Sequence, residues 1–223
     1  MIRRLLLLAG LIIGTSSLGM AGACPTGVGV TVATYEALGA GGCTIGTLSF
    51  SNFSYNGTGS GGVHAIPADG VNVVPSGLGF EFTAPWNVGA NQELDSAITY
   101  TVTASRASIT DLLLKMGGFG FSGGGTVSVA ESTDVKGMPL SLFVVSNSGE
   151  TKDMAIATFA GVSSLTVIKD IAVNGHTGSA AVSVVFNQFS TGGTVPEPTS
   201  MLLLGPGLLG LTGFVRRHRA TRS

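Results

Sequence analysis

The fold class is decided by residues 96–105, which read Ser96-Ala97-Ile98-Thr99-Tyr100-Thr101-Val102-Thr103-Ala104-Ser105. Ile98, Tyr100 and Val102 alternate with threonines, and this period of two is typical of a half-buried β-strand. One face of such a strand packs on a core while the other meets water. The stretch therefore predicts an antiparallel sheet with one solvated face.

Similar stretches recur along the chain, separated by turn residues such as Asn147-Ser148-Gly149 and Asn174-Gly175. A strand after residue 44 is expected to carry a bulge near Ser51 and Asn52, where the parity of its aromatic residues changes. Residues 109–116 are mostly apolar and predict a strand that is buried on both faces. Other strands are expected at residues 71–74, 78–82, 126–130, 140–145, 154–159, 165–173 and 181–189. About ten strands without crossover helices predict an all-β fold, an antiparallel β-sandwich of the jelly-roll or immunoglobulin-like kind.

The first 23 residues have the three regions of a secretory signal peptide. Arg3 and Arg4 precede an apolar run at residues 5–13, and the small residues Ala21-Gly22-Ala23 follow. Cleavage is expected before Cys24. Acylation of Cys24, as in a lipoprotein, is an alternative, although Ala21 and Pro25 do not favour it.

The last 29 residues also have three parts. A hinge at residues 195–200 begins Val195-Pro196-Glu197-Pro198, and its prolines keep the backbone extended and accessible. An apolar run at residues 201–215 predicts a short transmembrane helix, and a basic tail at residues 216–223 supplies Arg216, Arg217 and Arg219 as a stop-transfer signal. The apolar helix would reach only about 22 Å, short of a bilayer core of roughly 30 Å.

This tail resembles a PEP-CTERM sorting signal, through its Pro196-Glu197-Pro198 tripeptide and its Arg216-Arg217-His218-Arg219 end. The resemblance implies that an exosortase recognises and cuts the tail in a Gram-negative bacterium, after a transient stay in the inner membrane. A plain C-terminal membrane anchor behind a proline-rich linker is the alternative.

The residues between the two ends form the predicted ectodomain, residues 24–191, which a linker and the sorting signal follow at residues 192–223. The ectodomain resembles a β-rich body that recurs in PEP-CTERM proteins, and this resemblance implies no catalytic residues. It rests on Cys24, a short helix containing Tyr35, residues 38–46, residues 50–55 and Lys169-Asp170-Ile171.

The two cysteines of the chain, Cys24 and Cys43, lie close together near the mature N-terminus. An even pair in an exported protein predicts a disulfide; a metal site is the alternative, although no histidine lies between them. One short helix is expected between them at residues 31–38, because Val32, Tyr35 and Leu38 have helical spacing.

The charge of the exported part argues against some partners. Between residues 24 and 198 there are five basic residues and all 12 of the acidic ones, so this part carries a net charge of −7. This negative charge argues against nucleic acid and anionic lipid surfaces as partners.

No motif for catalysis, a cofactor or a metal stands out, so no catalytic residue, cofactor or metal is assigned. His64 and His176 lie in glycine-rich segments, and residues 117–125 lack the ending of a phosphate loop. Nothing pairs two of the carboxylates Glu81, Glu93, Asp95 and Asp111 for glycoside hydrolysis. Calcium at Asp69 or Asp134 is a weaker alternative.

Trp86 is the single tryptophan and the one candidate ligand contact. It is expected in a loop just after a strand, where it would either offer a platform to a sugar or close one end of the core.

These observations favour a non-enzymatic structural protein of the cell surface or extracellular matrix, sorted by an exosortase. A carbohydrate-binding or adhesion module that contacts exopolysaccharide is the alternative function, and a secreted hydrolase ranks third.

Overall fold

The computed structural model describes residues 21–135 and 140–194. These residues are mostly β-structure, with one short α-helix, α1, at Val32–Glu36 and a single turn of 3-10 helix at Ala68–Gly70. The strands, in chain order, are β1 Gly22–Ala23, β2 Cys43–Ile45, β3 Leu48–Ser60, β4 Asn72–Ser76, β5 Gly79–Val88, β6 Glu93–Ala104, β7 Ala107–Gly117, β8 Gly120–Ser122, β9 Thr126–Thr133, β10 Leu140–Ser146, β11 Thr151–Lys152, β12 Met154–Val162, β13 Ser164–Asn174 and β14 Ser179–Thr194.

The strands form two sheets. The eight-stranded sheet has the order β1-β2-β3-β6-β13-β9-β10-β11, and the six-stranded sheet has the order β12-β7-β14-β5-β4, with β8 also paired to β14. All of the pairings are antiparallel except that of β1 with β2. The mostly-β prediction is therefore confirmed for the described residues.

The two sheets enclose one core between them. Phe50 of the eight-stranded sheet meets Phe80 of the six-stranded sheet edge to face, with ring centroids 4.6 Å apart. Phe53 stacks on Tyr100 at 5.0 Å. Such aromatic pairs add roughly 0.5–1.5 kcal/mol each beyond the apolar area that they bury.

Helix α1 covers one end of this core. Tyr35 is fully buried, lies 5.0 Å from the ring of Phe53, and donates its hydroxyl to the carbonyl oxygen of Pro25 at 2.9 Å. The predicted disulfide joins Cys24 to Cys43, so it fixes the chain on both sides of the helix.

The bulge predicted near Ser51 and Asn52 is confirmed. The register of β3 against β6 shifts between Ser51 and Ser54, and Asn52 has a φ of 55°. The extra residue reverses the parity of the strand, which brings Phe53 onto the core face with Phe50.

Two predicted strands differ in detail from the structure. β7 alternates: Leu112 and Leu114 are buried, whereas Leu113 is only half-buried and Lys115 is exposed. The expectation that it is buried on both faces is wrong, because no layer covers the outer face of the six-stranded sheet among the described residues. β5 runs through Pro85, where a bulge opposite β14 accommodates the missing backbone donor.

Candidate functional site

The core contains a polar cluster that lies between the two sheets, formed by Lys169, Glu131, Asn187 and Tyr100. Each of the four side chains is at most 1% exposed. Strand alternation places them there: Lys169 of β13 follows Leu165 and Val167 on the inner face, and it pairs directly with Glu131 of β9. Asn187 reaches the same place from β14, in the other sheet.

The cluster is a connected hydrogen-bond network. Lys169 Nζ forms an ion pair with Glu131 Oε2. Asn187 Nδ2 donates to the other carboxylate oxygen, Glu131 Oε1, at 2.9 Å and to the carbonyl oxygen of Leu113 at 3.2 Å. The hydroxyl of Tyr100 donates to Asn187 Oδ1. One carboxylate therefore contacts both an amine and a carboxamide.

Burial changes the acid–base properties of this cluster. Removal from water lowers the pKa of Lys169, and the neighbouring Glu131 offsets only part of that effect. Burial, and then the charge of Glu131, raise the pKa of Tyr100 well above its ordinary value. Tyr100 therefore stays a neutral hydrogen-bond donor at all physiological pH values, while the amine of Lys169 gives up its proton more readily than an exposed lysine does.

Sequence reasoning missed Glu131, Lys169 and Asn187, although a signal for them is present. Each of them occupies an inward position in an alternating apolar strand, with these inner-face neighbours: Val129 and Thr133 for Glu131, Val167 and Ile171 for Lys169, and Val185 and Phe189 for Asn187. A charge or an amide at such a position must find a buried partner, because an unpaired one is too costly. Of the three, only Lys169 was named in the sequence analysis, and there only as part of the Lys169-Asp170-Ile171 resemblance.

Trp86 lies inside the core and not in a loop. It sits in β5, is fully buried, and its indole N–H donates to Ser96 Oγ at 3.0 Å. Ser96 also bonds to the hydroxyl of Tyr55 at 2.8 Å. Of the two roles considered for Trp86, the structure therefore shows packing in the core. Trp86 offers no surface to a ligand, because no face of its ring reaches solvent.

The outer face of the six-stranded sheet carries a shallow groove of about 160 Å³. A carboxylate, an amide and a hydroxyl, those of Asp111, Gln188 and Ser190, line it beside the aliphatic side chains of Leu113 and Ile156. Ile156 is 54% exposed, and the carboxylate of Asp111 accepts the backbone N–H of Ser190 at 2.9 Å. This mixture of polar and aliphatic side chains suits a polar ligand with apolar patches.

A larger cavity of about 470 Å³ lies beside Asp134 and residues 161–165. One oxygen of Asp134 already accepts the backbone N–H of Thr166 at 2.6 Å. Over residues 21–135 and 140–194, no group of three or more His, Cys, Asp or Glu side chains is arranged to hold a metal ion.

The remaining predicted residues are dispersed. His176 lies in the turn after β13 with a φ of 43°, far along the chain from His64, which follows β3. Asp95 lies on the outer face of the eight-stranded sheet, whereas Asp111 lies on the outer face of the six-stranded sheet. The predicted sorting and stop-transfer residues and most of the predicted signal peptide lie outside the described part of the chain: residues 1–20, Val195, Pro196, Glu197, Pro198, Arg216, Arg217 and Arg219. None of the helices in the described ranges is long and apolar enough to cross a membrane.

Comparison with known proteins identifies the tail. Residues 194–219 match the PEP-CTERM protein-sorting motif, which confirms the resemblance of the C-terminal segment. No curated protein matches the chain.

Two solved structures are distantly similar to the body. One is TmCBM61 in complex with β-1,4-galactotriose, at 14% identity over 63% of this chain and 90% of that chain, with a TM-score of 0.34. The other is the enzymatically active domain of bacteriophage CBA120 tailspike protein 4, at 16% identity over 63% of this chain and 20% of that chain, with a TM-score of 0.29. Similarity this low does not bear on function.

Proposed function

We propose that this chain, which carries a PEP-CTERM protein-sorting motif, is a non-enzymatic structural protein of the cell surface or extracellular matrix. The motif at residues 194–219 is the observation that supports this proposal. A motif of this kind marks a protein that is exported across the inner membrane of a Gram-negative bacterium and processed by an exosortase.

In this proposal the chain has three parts. Residues 1–23 direct export and are removed, residues 24–194, which include all of β14, form the mature body with a jelly-roll or immunoglobulin-like topology, and residues 195–223 hold the protein in the inner membrane until it is cut. The Cys24–Cys43 disulfide supports a destination outside the cytoplasm, because such bonds persist in oxidising compartments.

The experiment that tests this proposal is the intact mass of the protein recovered from the surface or medium of cells that contain an exosortase. We expect a mature form that lacks residues 201–223. Replacing Pro196, Glu197 and Pro198 with alanine is expected to leave export and folding unchanged, because the hinge follows the last strand of the body in the chain. The uncut precursor is expected to accumulate in the membrane fraction. A surface form that keeps residues 201–223 would indicate a plain anchor.

The groove on the six-stranded sheet supports a second candidate function, contact with exopolysaccharide. Sugars combine hydroxyl groups with apolar ring faces, and the groove places Asp111 and Gln188 beside the exposed side chain of Ile156. In this alternative the body is an adhesion module that holds matrix polysaccharide at the cell surface.

A glycan array on the purified protein, followed by variants, tests this second function. We expect Gln188→Ala or Ile156→Ala to weaken binding of any glycan hit by roughly tenfold, which corresponds to the loss of about one good contact. Thr99→Ala, on the outer face of the other sheet, is the matched control and should bind normally. The absence of any glycan hit, or equal losses in all three variants, would remove the groove from consideration.

A further inference from the structure

The buried cluster holds the amine of Lys169 and the carboxamide of Asn187 against opposite oxygens of the Glu131 carboxylate. We propose that Lys169 and Asn187 condense inside the folded protein to form an intramolecular amide bond, with Glu131 as the proton carrier. This reaction modifies the protein itself, and it does not depend on how the protein is sorted or on what it binds.

The cluster is difficult to explain as a device for noncovalent stability. A buried ion pair is often no more stabilising than the apolar residues that could replace it, because both charges lose their water. Here a lysine and a glutamate occupy adjacent inward positions between Val129, Val167 and Ile171, where aliphatic side chains would pack without that cost. The pair therefore calls for a chemical explanation.

The amine is prepared to act as a nucleophile. A lysine attacks only in its neutral form, and enzymes obtain this form by placing the lysine in an apolar pocket. Lys169 is fully enclosed, burial lowers its pKa, and its nitrogen contacts the carboxylate that would accept its proton. Transfer of that proton to Glu131 leaves a neutral amine beside a neutral acid, which removes two buried charges.

The carboxamide is prepared to be attacked. The carbonyl oxygen of Leu113 and the carboxylate of Glu131 both accept hydrogen bonds from the side-chain nitrogen of Asn187. Nδ2 therefore faces these two acceptors, and Oδ1 faces the hydroxyl of Tyr100. The Tyr100 hydroxyl donates to Oδ1, where negative charge develops as the carbonyl carbon becomes tetrahedral. Oxyanion sites lower the barrier to acyl transfer with a fixed hydrogen-bond donor of this kind, shielded from water.

The step balances without any other reactant. Nζ of Lys169 attacks Cγ of Asn187, and a C–N bond forms. The proton that Glu131 took from the lysine passes to Nδ2, the Cγ–Nδ2 bond breaks, and ammonia leaves. The second proton of Nζ then passes to the carboxylate of Glu131, which is left protonated and neutral. The product is a secondary amide and one free ammonia, with no change in oxidation state.

The bond would join the two sheets covalently. Lys169 belongs to β13 in the eight-stranded sheet and Asn187 to β14 in the six-stranded sheet. The two strands could then no longer separate on unfolding, a property suited to a protein that works outside the cell, where chaperones and ATP are absent.

Peptide mass spectrometry of the full chain, purified from exporting cells, denatured and reduced, tests the proposal. Chymotrypsin cuts after Phe159, Phe186 and Phe189, so it separates Lys169 from Asn187 unless a bond joins them. We expect one branched peptide whose mass equals the sum of the two separate peptides less one ammonia. We also expect trypsin to cut after Lys152 but not after Lys169, because acylation removes the charge that trypsin recognises. Separate peptides with their unmodified masses would overturn the proposal.

Variants assign the roles of the individual residues. In Glu131→Gln we expect the branched peptide to be lost, since an amide cannot carry the proton although it has the same size. In Asn187→Asp, condensation releases water in place of ammonia, so the linked product has the wild-type mass. A folded Glu131→Gln protein that still links would refute the role of Glu131. Circular dichroism establishes which variants fold; if Glu131→Gln does not, the wild-type peptides alone decide whether the bond exists.

Discussion

Asp95 lies half-buried on the outer face of the eight-stranded sheet, where its carboxylate meets other acids. Burial, followed by the neighbouring Asp170 and then Glu93, raises its pKa from 3.8 to about 6. Because the folded state holds this proton more tightly than the unfolded state, the stability contributed by Asp95 is present at low pH and is lost as the pH rises from about 4 through 6. Asp95→Asn should therefore raise the melting temperature at pH 7.5.

The same substitution should change the melting temperature little at pH 4, where the carboxyl group of the wild-type protein is already protonated. Thermal unfolding of both proteins between pH 4 and pH 8 measures this difference. Thr101→Asn, further along the same face, is the control and should show no such pH dependence. A constant offset between Asp95→Asn and the wild type at every pH would mean that the ionisation of Asp95 is not the cause of the stability difference.

β6 lies inside the eight-stranded sheet, between β3 and β13, and its alternating side chains face the core and the outer surface in turn. Val102 is fully buried, whereas its neighbour Thr101 is half-buried on the outer face. Val102→Asp places an unpaired charge in the core and should cost more than about 4 kcal/mol, enough to unfold the protein. Thr101→Asp should cost less than about 1 kcal/mol. Urea unfolding compares the two, and equal losses would contradict the assignment of faces.

The whole molecule depends on the compartment in which it folds. The Cys24–Cys43 disulfide closes a segment with a sequence separation of 19 and holds helix α1 against the core. Reduction should lower the free energy of unfolding by roughly 3 kcal/mol in the chain-entropy model. Protein made in a reducing cytoplasm should show the same loss.

A Cys24→Ala/Cys43→Ala variant is the matched control for this prediction, because reductant should not change its stability. Chemical denaturation with and without reductant measures the effect. Two reactive thiols in the exported protein would show that the bond does not form in the cell.

Much of this protein was predictable from local sequence, for a physical reason. The alternation at residues 96–105 and the parity change near Asn52 depend only on the geometry of an extended backbone, in which successive side chains point to opposite faces. Two cysteines in one exported chain leave a single intramolecular pairing. The sorting motif is likewise read as a linear segment, so it needs no fold.

The limits of that local reading are seen at β5 and β7. A strand at residues 78–82 with Trp86 in the following loop was expected, but β5 continues through a bulge opposite β14, and Trp86 lies in the core. The apolar run of β7 suggested burial on both faces, but among the described residues no second layer covers its outer face. Both outcomes depend on the neighbour of a strand, which is a property of the sheet.

The sequence by itself thus determined most of the longer strands, the bulge of β3, the cysteine pair and the sorting tail. Only the tertiary structure decided that Glu131, Lys169 and Asn187 meet: their side chains come together across 38 and 56 positions of the chain, from three strands in two sheets. Sheet order and register arise from the packing of the whole core, which no local pattern encodes, so the chemistry of this cluster became visible only once the sheets were paired.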